Sequence, residues 1–196
     1  MSHLPFPSPP PSPSPSPPFC HCYQGAFEGP ILGITSALHG NELNGIPLIF
    51  RLIRELDIGV LQGTVVAVPV VNGPGFLRHS RYFHDGQDLN RLFPGNPKGN
   101  CGQQYVYQFL EKIVKKFDYN VDLHTASFGR INSLYVRADM NNRVTNNMAM
   151  LQEAQIIVHN TAPDGSMRSA AMKLGIPSIT VEIGDPSRIH RVYTIR

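Results

Sequence analysis

From Pro30 onward, short apolar runs alternate with amphipathic stretches, and this alternation restricts the possible folds more than any other feature. Residues 31–35 and 64–71 are apolar and β-branched, as expected of buried strands. Between them, the apolar side chains of residues 47–56 recur at helical spacing, and Pro47 suits a first helical turn. The pattern continues and predicts helices at residues 103–116, 143–152 and 166–174 and strands at residues 119–123, 133–137 and 177–183.

Strands that alternate with helices are typical of α/β proteins with a parallel sheet covered on both faces. We therefore predict a three-layer α/β/α fold around a mixed, largely parallel sheet. Residues 72–102 are rich in Gly, Pro, Asn and Asp and are expected to form a loop. A loop of this length in a compact domain is usually either functional or disordered.

The composition restricts the class of partner. The chain has 196 residues, with 17 Lys and Arg against 14 Asp and Glu. This small positive excess does not indicate nucleic acid or an anionic membrane as the main partner. No apolar run of about 18 residues occurs, and the N-terminus has neither the basic nor the apolar region of a secretory signal. We therefore expect a cytoplasmic protein whose main partner is neither nucleic acid nor a membrane.

The N-terminal region differs in composition from the rest of the chain. Nine of the 18 prolines lie between Pro5 and Pro18, interleaved with serines. Such a tract favours polyproline II or disorder, and we expect residues 1–28 to be a disordered tail and residues 29–196 to form the folded domain. The sequence Cys20-His21-Cys22 offers metal-binding atoms, but three adjacent residues are too few for a site, and three cysteines do not form a disulfide scaffold.

The strongest candidate metal ligands follow two predicted strands. His39 and Glu42 belong to the sequence HGNE after the strand predicted at residues 31–35, and His124 directly follows the strand predicted at residues 119–123. Histidine nitrogens and carboxylate oxygens are zinc ligands, and the carboxyl ends of parallel strands meet at one edge of a sheet. Asp122 is expected to support a ligand or to cap the strand end. A single histidine at a strand end is more often structural than a metal ligand, whereas two such histidines with a glutamate three residues after one of them are equally consistent with a metal site.

A second candidate group consists of polar side chains near the same edge. Arg81, Asn90 and Arg91 lie in the long loop, and a guanidinium group suits a carboxylate or a developing oxyanion. The competing interpretation is a solvated charged loop, and it applies equally to Arg168, on the helix before the last strand. Glu182 interrupts an apolar strand; it is either a desolvated general base or a carboxylate at an exposed strand end.

In sequence order, the motifs HGNE, SRY with DGQDLNRLFPG, VDLHT and GIPSITVEIG resemble those of the succinylglutamate desuccinylase/aspartoacylase family. This family belongs to the wider zinc carboxypeptidase-like superfamily, so the resemblance implies a zinc-peptidase-like sheet. It extends from about residue 33 to residue 186. The motifs are more similar to the bacterial-type deacylases of the family than to the animal aspartoacylases.

The resemblance implies a zinc ion, one per chain, bound by His39, Glu42 and His124. It implies that Glu182 is the base that activates water at the zinc. By contrast, neither HExxH nor HxxEH occurs in the chain, which excludes the helical zinc-peptidase motifs.

The resemblance also implies roles for the remaining polar residues. Arg81 would stabilise the oxyanion, Asn90 and Arg91 would bind a substrate carboxylate, and Arg168 would be a further anchor for the substrate. Together these roles predict a zinc-dependent hydrolase that cleaves an amide or ester bond of an N-acyl amino acid or a related carboxylate.

Two alternatives to this function remain at the level of sequence. A zinc carboxypeptidase acting on peptides would use the same ligands. The other alternative is an inactive, truncated remnant of such an enzyme, because members of the family usually extend beyond the chain at both ends. We therefore expect a catalytic domain that is incomplete at its C-terminus.

Overall fold

The computed structural model describes residues 18–126 and 132–185, in which a seven-stranded sheet carries helices on both faces. The chain also contains short 3-10 helices at Leu89–Arg91 and Val114–Lys116. The main elements are β1 (His21–Gln24), β2 (Phe27–Ser36), α1 (Gly45–Glu55), β3 (Gln62–Val68), α2 (Gly73–Leu77), α3 (Cys101–Lys112), β4 (Tyr119–His124), β5 (Asn132–Ala138), α4 (Arg143–Met150), β6 (Ile156–His159), α5 (Met167–Lys173) and β7 (Ser178–Gly184).

The sheet is mixed, and its strand order is β1-β3-β2-β4-β7-β5-β6. The four central strands β3, β2, β4 and β7 are mutually parallel. β1 is antiparallel to β3 at one edge, and β5 is antiparallel to β7 toward the other. The predicted α/β class and largely parallel sheet are confirmed. The carboxyl ends of β2, β4 and β7 therefore lie side by side, and this edge carries the candidate site.

Two apolar cores cover the two faces of the sheet. One includes Val106 and Phe109 of α3 together with Ala171 of α5. The other includes Ile49 of α1 and Ala149 of α4. Helices thus pack on both faces, and this arrangement gives the three layers that the sequence predicted. Within the described part of the chain, no helix is both long and apolar enough to cross a membrane.

Most predicted elements occur with shifted ends, whereas β1, α2 and β6 were not predicted. β3 ends at Val68 rather than at residue 71, because Pro69 cannot donate a hydrogen bond to a neighbouring strand. The predicted loop at residues 72–102 contains α2, a 3-10 turn and the first two residues of α3. α3 begins two residues early because Asn100 and Gln103 form a reciprocal capping box. β6 was missed, since four residues give too short a pattern.

The predicted end of the tail at residue 28 is wrong. β1 comprises residues 21–24 and pairs with β3, with His21 opposite Ala67. β2 already begins at Phe27. Backbone pairing at the sheet edge orders this segment even though its side chains show no strong apolar alternation. Residues 1–17, on which the rest of the tail prediction falls, lie outside the described residues.

Gly33 marks a close approach between the sheet and the segment that precedes β4. A methyl group added at Gly33 would lie 2.1 Å from Cδ2 of the buried Phe117 ring. Glycine at this position therefore lets the aromatic ring pack directly on the backbone of β2.

We expect Gly33→Ala to lower the free energy of unfolding by about 1–3 kcal/mol, because the Phe117 ring or the β2 backbone must move. Gly73→Ala is the matched control, since nothing lies within 4 Å of the added methyl group. Its effect should stay within about 0.5 kcal/mol. Urea denaturation of both variants measures the difference; equal stability of the two variants would contradict the close approach.

Candidate metal centre and active site

The turn after β2 brings two polar side chains to the edge of the sheet. His39 and Glu42 are buried there, with 3% and 2% of their surface exposed. The Glu42 amide donates a hydrogen bond to the His39 carbonyl at 3.0 Å, which closes the turn. Gly40 lies against α2, where an added methyl group would come 2.0 Å from the carbonyl carbon of Gly75. The glycine of HGNE is therefore required by close packing.

Asn44 attaches this turn to the end of β7. Its side-chain amide donates to the carbonyl oxygens of Ile183 and Asp185 at 2.9 and 2.8 Å. Because β7 also carries Glu182, the HGNE turn and the candidate base are held in one rigid unit.

Three potential ligand atoms converge on one point. His39 Nδ1 lies 2.8 Å from Glu42 Oε1, and His124 Nδ1 lies 2.9 Å from Glu42 Oε2. The ligand atoms of the three residues all lie within 4.8 Å of one another. His124 is buried like the other two. The predicted ligands His39, Glu42 and His124 are thus brought together by the fold, and this buried group is able to hold a metal ion.

Two aspartates hold the opposite sides of the imidazole rings. His39 Nε2 lies 3.0 Å from Asp88 Oδ1, and His124 Nε2 lies 2.6 Å from Asp122 Oδ2. The Thr35 hydroxyl donates to Asp122 Oδ1 at 2.7 Å and fixes that carboxylate in turn. A carboxylate can only accept, so each Nε2 donates a proton and each Nδ1 faces the shared centre. The expected supporting role of Asp122 agrees with this geometry.

The charges of the group are strongly coupled. Burial alone would raise the pKa of Glu42, but His124 and His39 outweigh it and hold the pKa well below its usual range. Burial likewise acts to lower the pKa of His124, whereas Asp122 and Glu42 raise it well above its ordinary value. Without a metal, His124 therefore holds a proton between the carboxylates of Asp122 and Glu42. A bound cation would neutralise these two carboxylates in place of that proton.

Arg81 lies beside this cluster. It donates from Nη1 to Glu42 Oε1 at 3.3 Å and from Nη2 to Asp88 Oδ2 at 2.9 Å. Asp88 therefore links Arg81 to His39. Burial acts to raise the pKa of Asp88, but His39 and Arg81 outweigh this effect and hold the pKa well below its usual range. The local sequence around Asp88 does not indicate its role, because nothing in that pattern reveals a contact with a histidine 49 residues away.

The predicted substrate-binding residues Asn90, Arg91 and Arg168 also line the site. Asn90 Oδ1 accepts a hydrogen bond from the Met167 amide at 2.9 Å, which fixes the start of α5. The next residue, Arg168, is 5% exposed, and its Nη2 donates to Asn160 Oδ1 at 2.6 Å. Among the described residues, Arg168 forms no salt bridge. Arg91 is exposed, and its Nη1 donates to the Asn90 carbonyl at 2.8 Å.

All of these groups line one cavity of about 340 Å³. Its lining contains the eight site residues predicted from the sequence, the supporting residue Asp122, and several residues that were missed, notably Tyr135, Arg137 and Asn160. Tyr135 and Arg137 belong to β5, which reaches the site only because it pairs antiparallel with β7. The structure therefore places the predicted site residues together, while their individual roles stay predictions.

The fold and the site define an α/β protein with a candidate metal centre at the carboxyl ends of its central strands. The family model for the succinylglutamate desuccinylase/aspartoacylase catalytic domain matches residues 28–193. The chain therefore belongs to this family, and the family predicted from the sequence motifs is confirmed.

Individual relatives cover different parts of the chain. An N-alpha-acetyl-L-2,4-diaminobutyric acid deacetylase from Halomonas elongata is 35% identical over 99 residues, which are 50% of this chain and 29% of the relative. A succinylglutamate desuccinylase from Pseudomonas paraeruginosa is 29% identical over 171 residues, covering 80% of this chain and 51% of the relative. The chain thus spans about half or less of the length of these relatives.

A solved structure gives the same relationship at the level of the fold. The succinylglutamate desuccinylase/aspartoacylase from Rhodobacter sphaeroides superimposes with a TM-score of 0.76 at 26% identity. The match covers 88% of this chain and 53% of that protein.

We expect zinc binding near neutral pH to release about one proton per zinc ion, because His124 must lose its proton to bind a metal through Nδ1. Since the pKa of His124 is raised in the metal-free protein, the apparent affinity for zinc should increase with pH up to that raised pKa. Isothermal titration calorimetry in buffers with different ionisation enthalpies measures the release.

His159→Ala removes a histidine on β6, away from the cluster, and should leave this proton release unchanged. Zinc binding without proton release, at an affinity independent of pH, would show that His124 is not the protonated ligand.

Proposed function

We propose that this chain carries the active site of a zinc-dependent hydrolase that cleaves the amide or ester bond of an N-acyl amino acid or a related carboxylate. One observation supports this proposal above the others. The buried group of His39, Glu42 and His124 opens into the same cavity as four arginines and a further carboxylate, Glu182.

The donor set of the buried group fits zinc. Two imidazole nitrogens and one carboxylate form a common ligand set of catalytic zinc sites, in which three protein ligands leave one position open. When bound, zinc would supply Lewis-acid polarisation of water and of the scissile carbonyl. The aspartates behind His39 and His124 orient both rings for this task and raise their basicity.

Glu182 lies on β7 directly opposite His124 of β4 and lines the cavity. We assign it the role of general base: its carboxylate accepts a proton from the attacking water and returns that proton to the leaving nitrogen. Arg81, beside Glu42, is in place to donate hydrogen bonds to the oxygen that becomes negative during the attack. The loss of one such donor typically lowers kcat by about 10²–10³.

The arginines of the cavity favour a substrate with a carboxylate. Arg168 is buried without a salt bridge among the described residues, and an uncompensated buried cation is costly unless a ligand supplies an anion. Arg91 and Asn90 offer further donors in the lining of the cavity. The names of two relatives, a deacetylase of an acetylated diamino acid and a succinylglutamate desuccinylase, support acylated amino acids as the substrate class.

A panel of N-acyl amino acids tests the function. The zinc-loaded protein should hydrolyse at least one N-acetyl or N-succinyl amino acid, and a chelator should abolish the activity. The matching N-acyl amines without a carboxylate should be poor substrates, because the arginines then have no anion to bind. Hydrolysis of peptides but not of N-acyl amino acids would favour the peptidase alternative. Zinc binding without turnover of either class would favour an inactive protein.

We expect Glu182→Gln to keep about one zinc ion per chain and to lower kcat by about 10² or more, because glutamine preserves shape but cannot accept a proton. Metal analysis and steady-state kinetics measure both quantities. His39→Ala and His124→Ala serve as comparisons and should lose most of the zinc. Loss of zinc from Glu182→Gln would contradict its role as a base, and full zinc in both histidine variants would contradict their role as ligands.

We expect Arg91→Ala to raise KM for a carboxylate-bearing substrate by about tenfold or more, with a smaller change in kcat. The reason is that this arginine would hold the substrate equally in the ground state and the transition state. Arg54→Ala, at the last turn of α1, is the control and should change neither constant. A fall in kcat at unchanged KM would instead place Arg91 at the reacting bond.

A further inference from the structure

Three adjacent strands present their side chains to the cavity in two rows. In the first row, Glu182 of β7 lies between His124 of β4 and Tyr135 of β5. In the second row, Thr180 of β7 lies between Asp122 and Arg137. Alternate residues of a strand point to the same face of a sheet, so both rows face the cavity, and all six residues line it.

Arg137 and Tyr135 contact the Glu182 side chain across the antiparallel pair. Arg137 donates from Nε to Glu182 Oε1 at 3.2 Å and from Nη2 to the Tyr135 hydroxyl at 2.5 Å. The guanidinium carbon also lies 5.0 Å from the centre of the Tyr135 ring. Both hydrogen bonds come from the planar guanidinium group of Arg137, and the Tyr135 ring packed against this group limits the orientations that it can adopt.

A glutamate beside a water-accessible cavity has several rotamers, whereas a catalytic base must be held within about 0.5 Å of its productive position. Glu182 projects from β7 into such a cavity. The guanidinium group of Arg137 selects one of its rotamers through a charge-assisted hydrogen bond. Because Arg137 belongs to a neighbouring strand of the same sheet, its own backbone is rigid relative to Glu182.

We propose that Arg137, fixed by its contact with Tyr135, is a positioning residue that holds the Glu182 carboxylate in the orientation needed to act as the base. This inference rests on the proposed function, in which Glu182 is that base. Arg137 acts through Glu182 and not through the substrate.

The kinetic constants distinguish this role from substrate binding. Among the described residues, Nη1 of Arg137 has no hydrogen-bond partner, so the same guanidinium group is also placed to meet an anion. A substrate-binding arginine changes mainly KM, whereas a residue that positions the base changes mainly kcat.

The test compares Arg137→Gln in two backgrounds. In the wild-type background it should lower kcat by about tenfold or more and keep KM within about twofold. In the Glu182→Gln background it should have almost no further effect, since the group on which it acts has gone. Arg137→Lys keeps the charge and one donor, and should recover part of kcat. Equal losses in both backgrounds, or a change in KM alone, would overturn the proposal.

Arg143→Gln is the matched control, because this exposed arginine of α4 is not part of the cavity. Its kcat, KM and melting temperature should equal those of the wild type. A melting temperature of Arg137→Gln close to that of the control shows that the loss of kcat does not come from unfolding.

A second measurement does not depend on activity. Crystal structures of the metal-free wild type and of Arg137→Gln should show the Glu182 carboxylate displaced by about 1 Å or more, or divided between rotamers, in the variant. An unchanged Glu182 carboxylate would overturn the positioning role. If the wild type hydrolyses no member of the substrate panel, the proposed function fails, and the crystal structures alone decide this inference.

Discussion

The buried Glu42 carboxylate is the group on which the rest of the site depends. A charge with 2% of its residue exposed must be compensated within the protein, and the compensating groups come from three different segments. His39 comes from its own turn, His124 and the Thr125 amide from the end of β4, and Arg81 from the long loop. Pairing this one carboxylate therefore brings together three segments that are far apart in sequence. A bound metal ion would strengthen the same arrangement, since it adds positive charge at the point where these groups meet.

The sheet provides rigidity where the reaction requires it. The end of β4 carries one candidate ligand, and Glu182 lies opposite it on β7. The long loop carries the groups that would contact the substrate, and Asn90 links that loop to the start of α5 beside Arg168. In the proposed function, the base and one ligand thus lie at strand ends, whereas the other two ligands lie in the turn after β2 and the oxyanion donor lies in the long loop.

Local patterns in the sequence predicted the parts of the fold and site that depend on neighbouring residues. The central strands are nearly continuous apolar runs, and His39 and His124 follow two of them, so their meeting at one edge could be anticipated. The contributions of Asp88 and Arg137 could not. Asp88 reaches His39 only after the long loop has folded back, and Arg137 reaches Glu182 only because β5 runs antiparallel to β7. Strand direction and register are set by tertiary packing, which leaves no signal in a short apolar run.

The central claim is that two histidines and a glutamate bind zinc at this edge of the sheet, and X-ray absorption spectroscopy at the zinc edge of the loaded protein tests it most directly. The account predicts nitrogen and oxygen ligands at about 2.0–2.2 Å, with the scattering pattern of two imidazole rings and no sulfur. A sulfur shell at about 2.3 Å would contradict it, because zinc would then be bound by thiolates, such as those of the exposed Cys20 and Cys22.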